Sequence, residues 1–170
     1  MIDHPANPPA TAKELAQAQA QAQFGAAAQQ LLAIHALHDG AELFRHDDEC
    51  RFLVAAIDQW GELLQRAIQS AEKVTWQDDK DEIPPYLYSA IAFGMIPGDH
   101  ARWLLITEGE HAGKIMHSDS DLMDESPRFD SMAQFMSALL QDPARVLNCG
   151  GHARYVVDGR ERFAVRYREQ

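Results

Sequence analysis

The amino-acid sequence predicts one α+β domain in which a mostly antiparallel sheet is flanked by helices and followed by a C-terminal β-hairpin. Its 170 residues suit a single hydrophobic core. Segments with helical and with strand periodicity follow one another in mixed order, which is typical of this class. Turn sequences separate two pairs of strand-like segments, as hairpins require, at Pro97-Gly98-Asp99-His100 and at Asp158-Gly159.

The chain is expected to begin with an N-terminal extension, residues 1–24, that is mostly helical or frayed. Thr11 and Glu14 have the spacing of a capping box, so we predict a long helix from about Thr11 to Leu37. Ala and Gln alternate over residues 16–23, which leaves the first half of this helix little to bury. Its second half carries a core-facing apolar stripe, which comprises Phe24, Leu31, Leu32, Ile34 and Leu37.

Residues 25–145 are expected to form the main domain. Gly40 can end the first helix in the left-handed conformation, and short extended pieces are predicted at 41–44 and 52–54. Asp58 is predicted to cap a second helix, which ends near Glu72. The apolar residues of that helix are Trp60, Leu63, Leu64 and Ile68.

Strands and one further helix complete the predicted domain. Residues 78–82 with Pro84 and Pro85 must form a loop, because like charges repel and adjacent prolines block ladders and helices. Strands are predicted at 88–96, 101–107 and 113–117. Asp130 or Ser131 can cap the helix that follows, which should stop before Pro143. A C-terminal tail, residues 146–170, is expected to pack on the domain as a hairpin with strands at 153–157 and 162–167.

The charge of the chain is uneven. The formal net charge is −11, and residues 1–144 hold 23 of the 26 acidic residues but only 9 of the 15 basic ones. An acidic body disfavours direct binding of nucleic acid, which requires Lys and Arg at the phosphates. It would steer a basic partner towards the protein. Acidity that serves only solubility is an equally open interpretation.

Two cysteines, Cys50 and Cys149, are too few for a disulfide framework and favour a reducing compartment. Residues 1–9 lack the basic start and apolar run of a secretory signal, and no stretch reaches about 18 apolar residues. We therefore expect a cytoplasmic protein that does not bind membranes.

No motif in the sequence strongly indicates a catalytic site or a metal site. His35, His38 and His46 could hold a metal, although zinc sites usually show tighter ligand pairs with Cys or Glu. The acids of residues 119–125 lack the glycine and spacing of a calcium loop. Nucleophile or phosphate-loop motifs are missing around five further candidates, which are Ser118, Ser120, Cys50, Cys149 and Gly150-Gly151. We therefore expect no enzyme, no metal and no cofactor.

The three tryptophans, Trp60, Trp76 and Trp103, could form a binding surface. At helix or strand positions, however, tryptophan more often lies in the core, so we expect a structural role for them.

The order of these pieces resembles the SUKH superfamily, the domain shared by bacterial toxin-immunity proteins and a fungal cell-wall regulator. The motif His38-Asp39-Gly40-Ala41-Glu42-Leu43-Phe44 is similar to the family's asparagine-glycine-alanine and apolar pair, with Asp39 where Asn is usual. A helix with Trp60 follows. Further similar stretches are Ala90 to Gly94 with Pro97-Gly98-Asp99, Trp103 to Ile106, Gly113-Lys114-Ile115, the acids Asp119 and Asp121, and Phe129 to Met136. The resemblance covers about residues 25–142 and leaves out the Ala/Gln-rich helix and the Arg-rich tail.

The resemblance implies a SUKH-like fold and an immunity function, in which a cytoplasmic protein binds a cognate toxin, often a nuclease, and blocks its active or functional surface. The acidic charge agrees, because an acidic protein can fill the basic cleft of a nuclease. We hypothesise that two acidic segments bind this partner, through Asp47, Asp48, Glu49, Asp119, Asp121, Asp124 and Glu125.

Two other interpretations stay open. The protein could be a regulatory or scaffolding module with an endogenous partner, as the fungal relatives suggest. It could also be a hydrolase or metal enzyme that uses His35, His38 and acidic residues. The sequence leaves the identity of the partner and the oligomeric state unspecified.

Overall fold

A computed structural model describes residues 4–20, 26–45, 52–75, 83–98, 100–118, 126–147, 152–157 and 160–165. Its helices are α1 (Ala12–Ala20), α2 (Ala28–His35), α3 (Trp60–Thr75), α4 (Met132–Gln141) and α5 (Pro143–Leu147), and short 3-10 helices span Ile57–Gln59 and Pro85–Ser89. Its strands are β1 (Ala41–Leu43), β2 (Phe52–Val54), β3 (Ala90–Met95), β4 (Arg102–Ile106), β5 (Ile115–Ser118), β6 (His152–Val157) and β7 (Arg160–Val165). The predicted α+β class with an antiparallel sheet is confirmed.

The central sheet is an antiparallel meander in the order β1-β2-β3-β4-β5, and β6 pairs with β7 in a separate two-stranded sheet. Leu43 pairs with Phe52 in the first hairpin, and Arg102 pairs with both Met95 and Ser118 across the later strands. A register shift between Ala92 and Gly94 marks a bulge in β3. A Cβ at Gly94 would overlap the ring of Phe52, so only glycine fits beneath that ring.

Both faces of the sheet are covered. Every residue of β3, β4 and β5 except Met95 is buried, and successive strand residues point to opposite faces. Helix α3 packs against β3. Helix α4 inserts Phe135 among four aromatic rings at centroid distances of 5.0 to 5.9 Å, namely those of Phe52, Phe93, Trp103 and Phe129. The predicted core role of Trp60 and Trp103 is confirmed, whereas Trp76 lies outside the described residues.

The single helix predicted from Thr11 to Leu37 is wrong, because the structure has α1 and α2 with a turn at Ala26 and Ala27. The capping box at the start of α1 is confirmed, since the Thr11 amide donates to Glu14 Oε2 at 2.7 Å and the Glu14 amide donates to Thr11 Oγ1 at 3.3 Å. Helix α1 buries Ala18 and packs Leu15 against the core.

The predicted apolar stripe of the first helix is correct in part. Leu31 and Leu32 are buried, and Ile34 packs against the core. Leu37 is 67% exposed, because α2 ends at His35 and the following turn rotates Leu37 out of the stripe. Phe24 lies outside the described residues.

Three predicted element boundaries need correction. Asp58 does not cap a helix but lies inside the 3-10 helix, where the Gln59 side chain accepts the Ala56 amide at 3.0 Å, and α3 continues to Thr75. Tyr88 belongs to a 3-10 helix before β3. Ser131 does cap α4, as predicted, by accepting the Gln134 amide at 3.2 Å.

Residues 4–10, the N-terminal strap, are hydrogen-bonded along the corner between α2 and β1. The backbone amide of Asn7 donates to Gly40 O at 3.0 Å, and that of Glu42 donates to Pro5 O at 2.8 Å. Gly40 has a φ of 91°, which confirms its predicted left-handed conformation, but it does not cap the helix as predicted, because α2 ends at His35 with Ala36 as its C-cap. The strap therefore extends the sheet beyond the edge strand β1.

None of the helices that the structure describes has the length and apolar character needed to cross a lipid bilayer.

Candidate functional site

The seven acidic residues hypothesised to bind a partner lie outside the described residues, so their role stays a prediction. They fall into two segments, 46–51 and 119–125, which together carry seven acidic residues and one basic residue, Arg51. The described strands on either side of these segments nevertheless show where each segment joins the fold.

Both acidic segments join the sheet at the same end. Segment 46–51 connects β1 to β2 next to the Leu43–Phe52 pair, and segment 119–125 follows Ser118 at the end of β5. Leu53 pairs with Met95, and Arg102 pairs with Met95 and Ser118, so all these strand ends lie at the same end of the sheet. We call this end of the sheet the acidic end. With three strand spacings between β2 and β5, the two attachment points are about 14 Å apart.

A cavity of about 320 Å³ lies at the opposite end of the sheet, which we call the cavity end. It forms where α1, the 3-10 helix before α3, and the start of β3 meet. Its lining includes Glu14, Asp39, Asp58, Trp60, Leu64 and Ile91. Three of its eleven lining residues are carboxylates, and no Lys or Arg lines the cavity among the described residues.

Asp39 is held in place at the cavity by two donors. Its Oδ1 atom accepts a hydrogen bond from His35 Nδ1 at 2.8 Å and another from the Ile57 amide at 3.0 Å. The His35 ring therefore carries its proton on Nδ1 in the neutral form. Asp39 thus links the end of α2 to the start of the 3-10 helix.

His35 is completely buried behind this carboxylate. Its ring packs edge-on against Trp60 at a centroid distance of 5.0 Å, and its Nε2 atom has no hydrogen-bond partner among the described residues. Burial lowers the pKa of His35 below its usual value, and the opposing effect of Asp39 is smaller. The histidine is therefore neutral in the folded protein near pH 7.

Glu14 and Asp58 complete the acidic side of the cavity. Hydrogen bonds from Thr11 lower the pKa of Glu14, whose Oε2 atom accepts both the Thr11 amide and the Thr11 hydroxyl. Asp58 is exposed and has no ionic or hydrogen-bond partner among the described residues. The lowered pKa keeps Glu14 ionised at neutral pH.

A second cavity, of about 640 Å³, lies between β4 and α4. Its lining includes Trp103, Phe129, Gln134 and Gln141, together with one cation, Arg128, and one anion, Asp142. Its described charges are balanced, in contrast to those of the first cavity.

The metal site considered for His35, His38 and His46 does not form in the described part of the chain. His35 contacts Asp39, whereas the Nδ1 atom of His38 lies 3.1 Å from Asn7 O, and His46 is not described. No group of three or more possible metal ligands occurs among the described residues. Ser118 is buried at the end of β5. The remaining candidate nucleophile and loop positions lie outside the described residues, namely Cys50, Ser120, Cys149, Gly150 and Gly151.

Sequence reasoning missed the pairing of His35 with Asp39. The signal was present, because residues four apart at the end of a helix can contact each other. The cavity itself had no local signal, since its walls come from four separate parts of the chain. No family model matches this chain, and neither a curated protein nor a solved structure matches it.

Proposed function

We propose that this protein is a cytoplasmic immunity protein of the SUKH type, which binds and neutralises a basic toxin, for example a nuclease. It acts by occupying the toxin's active or functional surface and carries out no reaction itself. The lone cysteines Cys50 and Cys149 suit the reducing cytoplasm that such a protein shares with its toxin.

The observation that carries the proposal is the common attachment of both acidic segments at the acidic end of the sheet. Their attachment points are about 14 Å apart. A standard protein interface covers about 800 Å² on each partner, so one interface can include both segments. Seven acidic residues can therefore act on one basic surface.

The expected mechanism is electrostatic steering followed by occlusion. The excess acidic charge accelerates the encounter with a basic surface, and close charge pairs then slow dissociation. A nuclease needs Lys and Arg in its cleft to hold phosphates, so carboxylates from the acidic end would compete for the same cations.

Affinity purification from the native cell tests the proposal. The full-length protein is the bait, and a variant with Asp47→Asn, Asp48→Asn, Asp119→Asn and Asp121→Asn is the matched control. We expect the native bait alone to recover one basic protein in a one-to-one complex. Expression of that protein alone should stop growth, and co-expression with the bait should restore it.

Two results would contradict this proposal, the first its immunity function and the second its interface. The first is recovery of a partner that is not toxic when expressed alone, which would indicate a regulatory or scaffolding module. The second is recovery of the toxin by both baits in equal amounts, which would show that the acidic segments are not part of the interface.

A further inference from the structure

The cavity at the opposite end of the sheet has the chemistry of a site for an organic cation. Carboxylates of Glu14, Asp39 and Asp58 line it together with the indole of Trp60 and apolar side chains such as Leu64 and Ile91. Carboxylates attract a cation through charge-assisted hydrogen bonds. The apolar wall suits the methylene groups that carry such a cation.

The carboxylates keep free acceptor atoms after their structural contacts are counted. Asp39 uses Oδ1 for both of its donors, and Glu14 uses Oε2 for the Thr11 side chain and amide. Asp58 makes no hydrogen bond with the described residues. The second oxygen of Asp39 and of Glu14 and both oxygens of Asp58 thus remain available.

Helix dipoles do not cancel the negative charge of the three carboxylates at the cavity. The starts of α1 and of the helical segment before α3 lie beside the cavity, and each helix start contributes roughly half a positive charge. Three carboxylates with a formal charge of −1 each therefore leave about two negative charges uncompensated. The single hydrogen-bond donor of Trp60 is already used, because its indole N–H donates to Ala55 O at 3.3 Å.

The volume of the cavity restricts the occupant. About 320 Å³ is at the lower limit of ligand pockets, so it fits one long side chain and excludes a helix or a folded peptide. A guanidinium group is planar and donates to two carboxylates at once, which an ammonium group cannot do in a fixed geometry. Arginine is also enriched among the anchor residues of protein interfaces.

We propose that this cavity receives an arginine side chain presented by a protein partner. The proposal does not depend on the immunity function, because the cavity and the acidic segments lie at opposite ends of the sheet. It adds a second interaction surface, where charge complementarity and the apolar wall of the cavity act together.

Titration of the full-length protein with Nα-acetyl-arginine methylamide tests the proposal by NMR. The indole resonance of Trp60, assigned with Trp60→Phe, and the amide resonance of Gly61 report on the cavity. We expect saturable shifts at both reporters with a Kd of the order of 1 mM, which is typical for one side chain. The control ligand is the matching citrulline derivative, which has nearly the same shape without the charge, and it should cause no saturable shift.

Two variants distinguish arginine binding in the cavity from nonspecific attraction of a cation to the acidic protein. Asp58→Asn should weaken arginine binding about two- to fivefold, the range for an exposed ion pair. Glu62→Gln is the matched control, because Glu62 is an exposed acid of α3 that pairs with Arg66 and does not line the cavity. The affinity of the Glu62→Gln variant for the arginine derivative should equal that of the native protein.

The proposal is overturned if the arginine derivative causes no saturable shift, or if the citrulline derivative causes equal shifts. It is also overturned if Asp58→Asn and Glu62→Gln weaken binding to the same extent. Each of these results concerns the cavity alone and leaves the test of the immunity function unaffected.

Discussion

The two ends of the central sheet use carboxylates in different ways. At the cavity end, Asp39 accepts hydrogen bonds from His35 and Ile57, and Glu14 accepts hydrogen bonds from Thr11. These acids fix the local backbone. At the acidic end, two segments carry seven acidic residues against one basic residue, an excess that repels itself and does not stabilise a fold. We therefore expect substitutions at the cavity end to change stability and substitutions at the acidic end to change partner binding.

The largest expected loss of stability comes from Trp60→Ala at the cavity end. Trp60 is 3% exposed and packs on His35, so its removal leaves a large void. The free energy of unfolding should fall by about 3–5 kcal/mol, measured by urea denaturation. Trp60→Phe, which keeps an aromatic ring, should cost less. Equal stability of Trp60→Ala and the native protein would show that this end is not tightly packed.

A pair of glycine substitutions compares the packed sheet with the open cavity. Gly94→Ala should lower the free energy of unfolding by about 1–3 kcal/mol, because the new Cβ overlaps the ring of Phe52. Gly61→Ala is the control, since nothing lies within 4 Å of a Cβ at this cavity-lining position. It should raise stability by about 0.5 kcal/mol through the unfolded chain. A destabilised Gly61→Ala would show that the cavity is closed at this point.

The pH dependence of stability tests the buried His35–Asp39 pair. Burial lowers the pKa of His35 in the folded protein, so the unfolded chain binds the proton more readily. The stabilising contribution is complete above the unfolded pKa of about 6.5 and is lost as the pH falls below it. Its slope cannot exceed about 1.4 kcal/mol per pH unit for one proton.

Urea denaturation between about pH 7.5 and about pH 5.5 measures this contribution. His35→Asn is the control, because its amide nitrogen can donate to Asp39 in place of Nδ1 but does not titrate. The difference in stability between native protein and variant should change over this range in favour of the variant as the pH falls. A constant difference would contradict a neutral buried His35.

The smallest expected effect on stability belongs to the acidic end. Asp119→Asn and Asp121→Asn should each change the free energy of unfolding by less than about 0.5 kcal/mol, as surface substitutions usually do. Asp39→Asn, at the cavity end, is the contrasting variant, since it weakens the hydrogen bond from a buried histidine. A loss above about 1 kcal/mol in Asp119→Asn would place that acid among the residues that hold the fold together.

The strands and the clearest caps could be predicted from the sequence because their signals are local. Periodicity indicated the segments of β2 to β5, and the spacing of Thr11 with Glu14 and of Ser131 with α4 indicated two caps. The break between α1 and α2 could not be predicted in this way. Most residues around it are Ala and Gln, which favour a helix, and the single Gly25 does not by itself fix where a helix ends, so tertiary packing decides where each helix lies.

The sequence indicated one of the two candidate sites and not the other. The acidic segments were visible as charge in the sequence, and the sheet register adds that they attach to the same end. The cavity was not visible, because Glu14, Asp39, Asp58 and Trp60 come together only through the packing of α1 on the start of α3 and β3. Long-range packing of this kind leaves no periodic pattern in the sequence.

The most direct test of the central claim is the affinity of two charge-reversed variants for the basic partner recovered from the cell, measured by calorimetry. Asp47→Lys with Asp48→Lys changes the acidic end. Glu108→Lys with Glu110→Lys makes the same change in net charge in the exposed turn between β4 and β5, at the opposite end. We predict that the first pair weakens binding at least about tenfold and that the second weakens it by less than about threefold. Equal losses in both pairs, or no loss in the first, would contradict the assignment of partner binding to the acidic end.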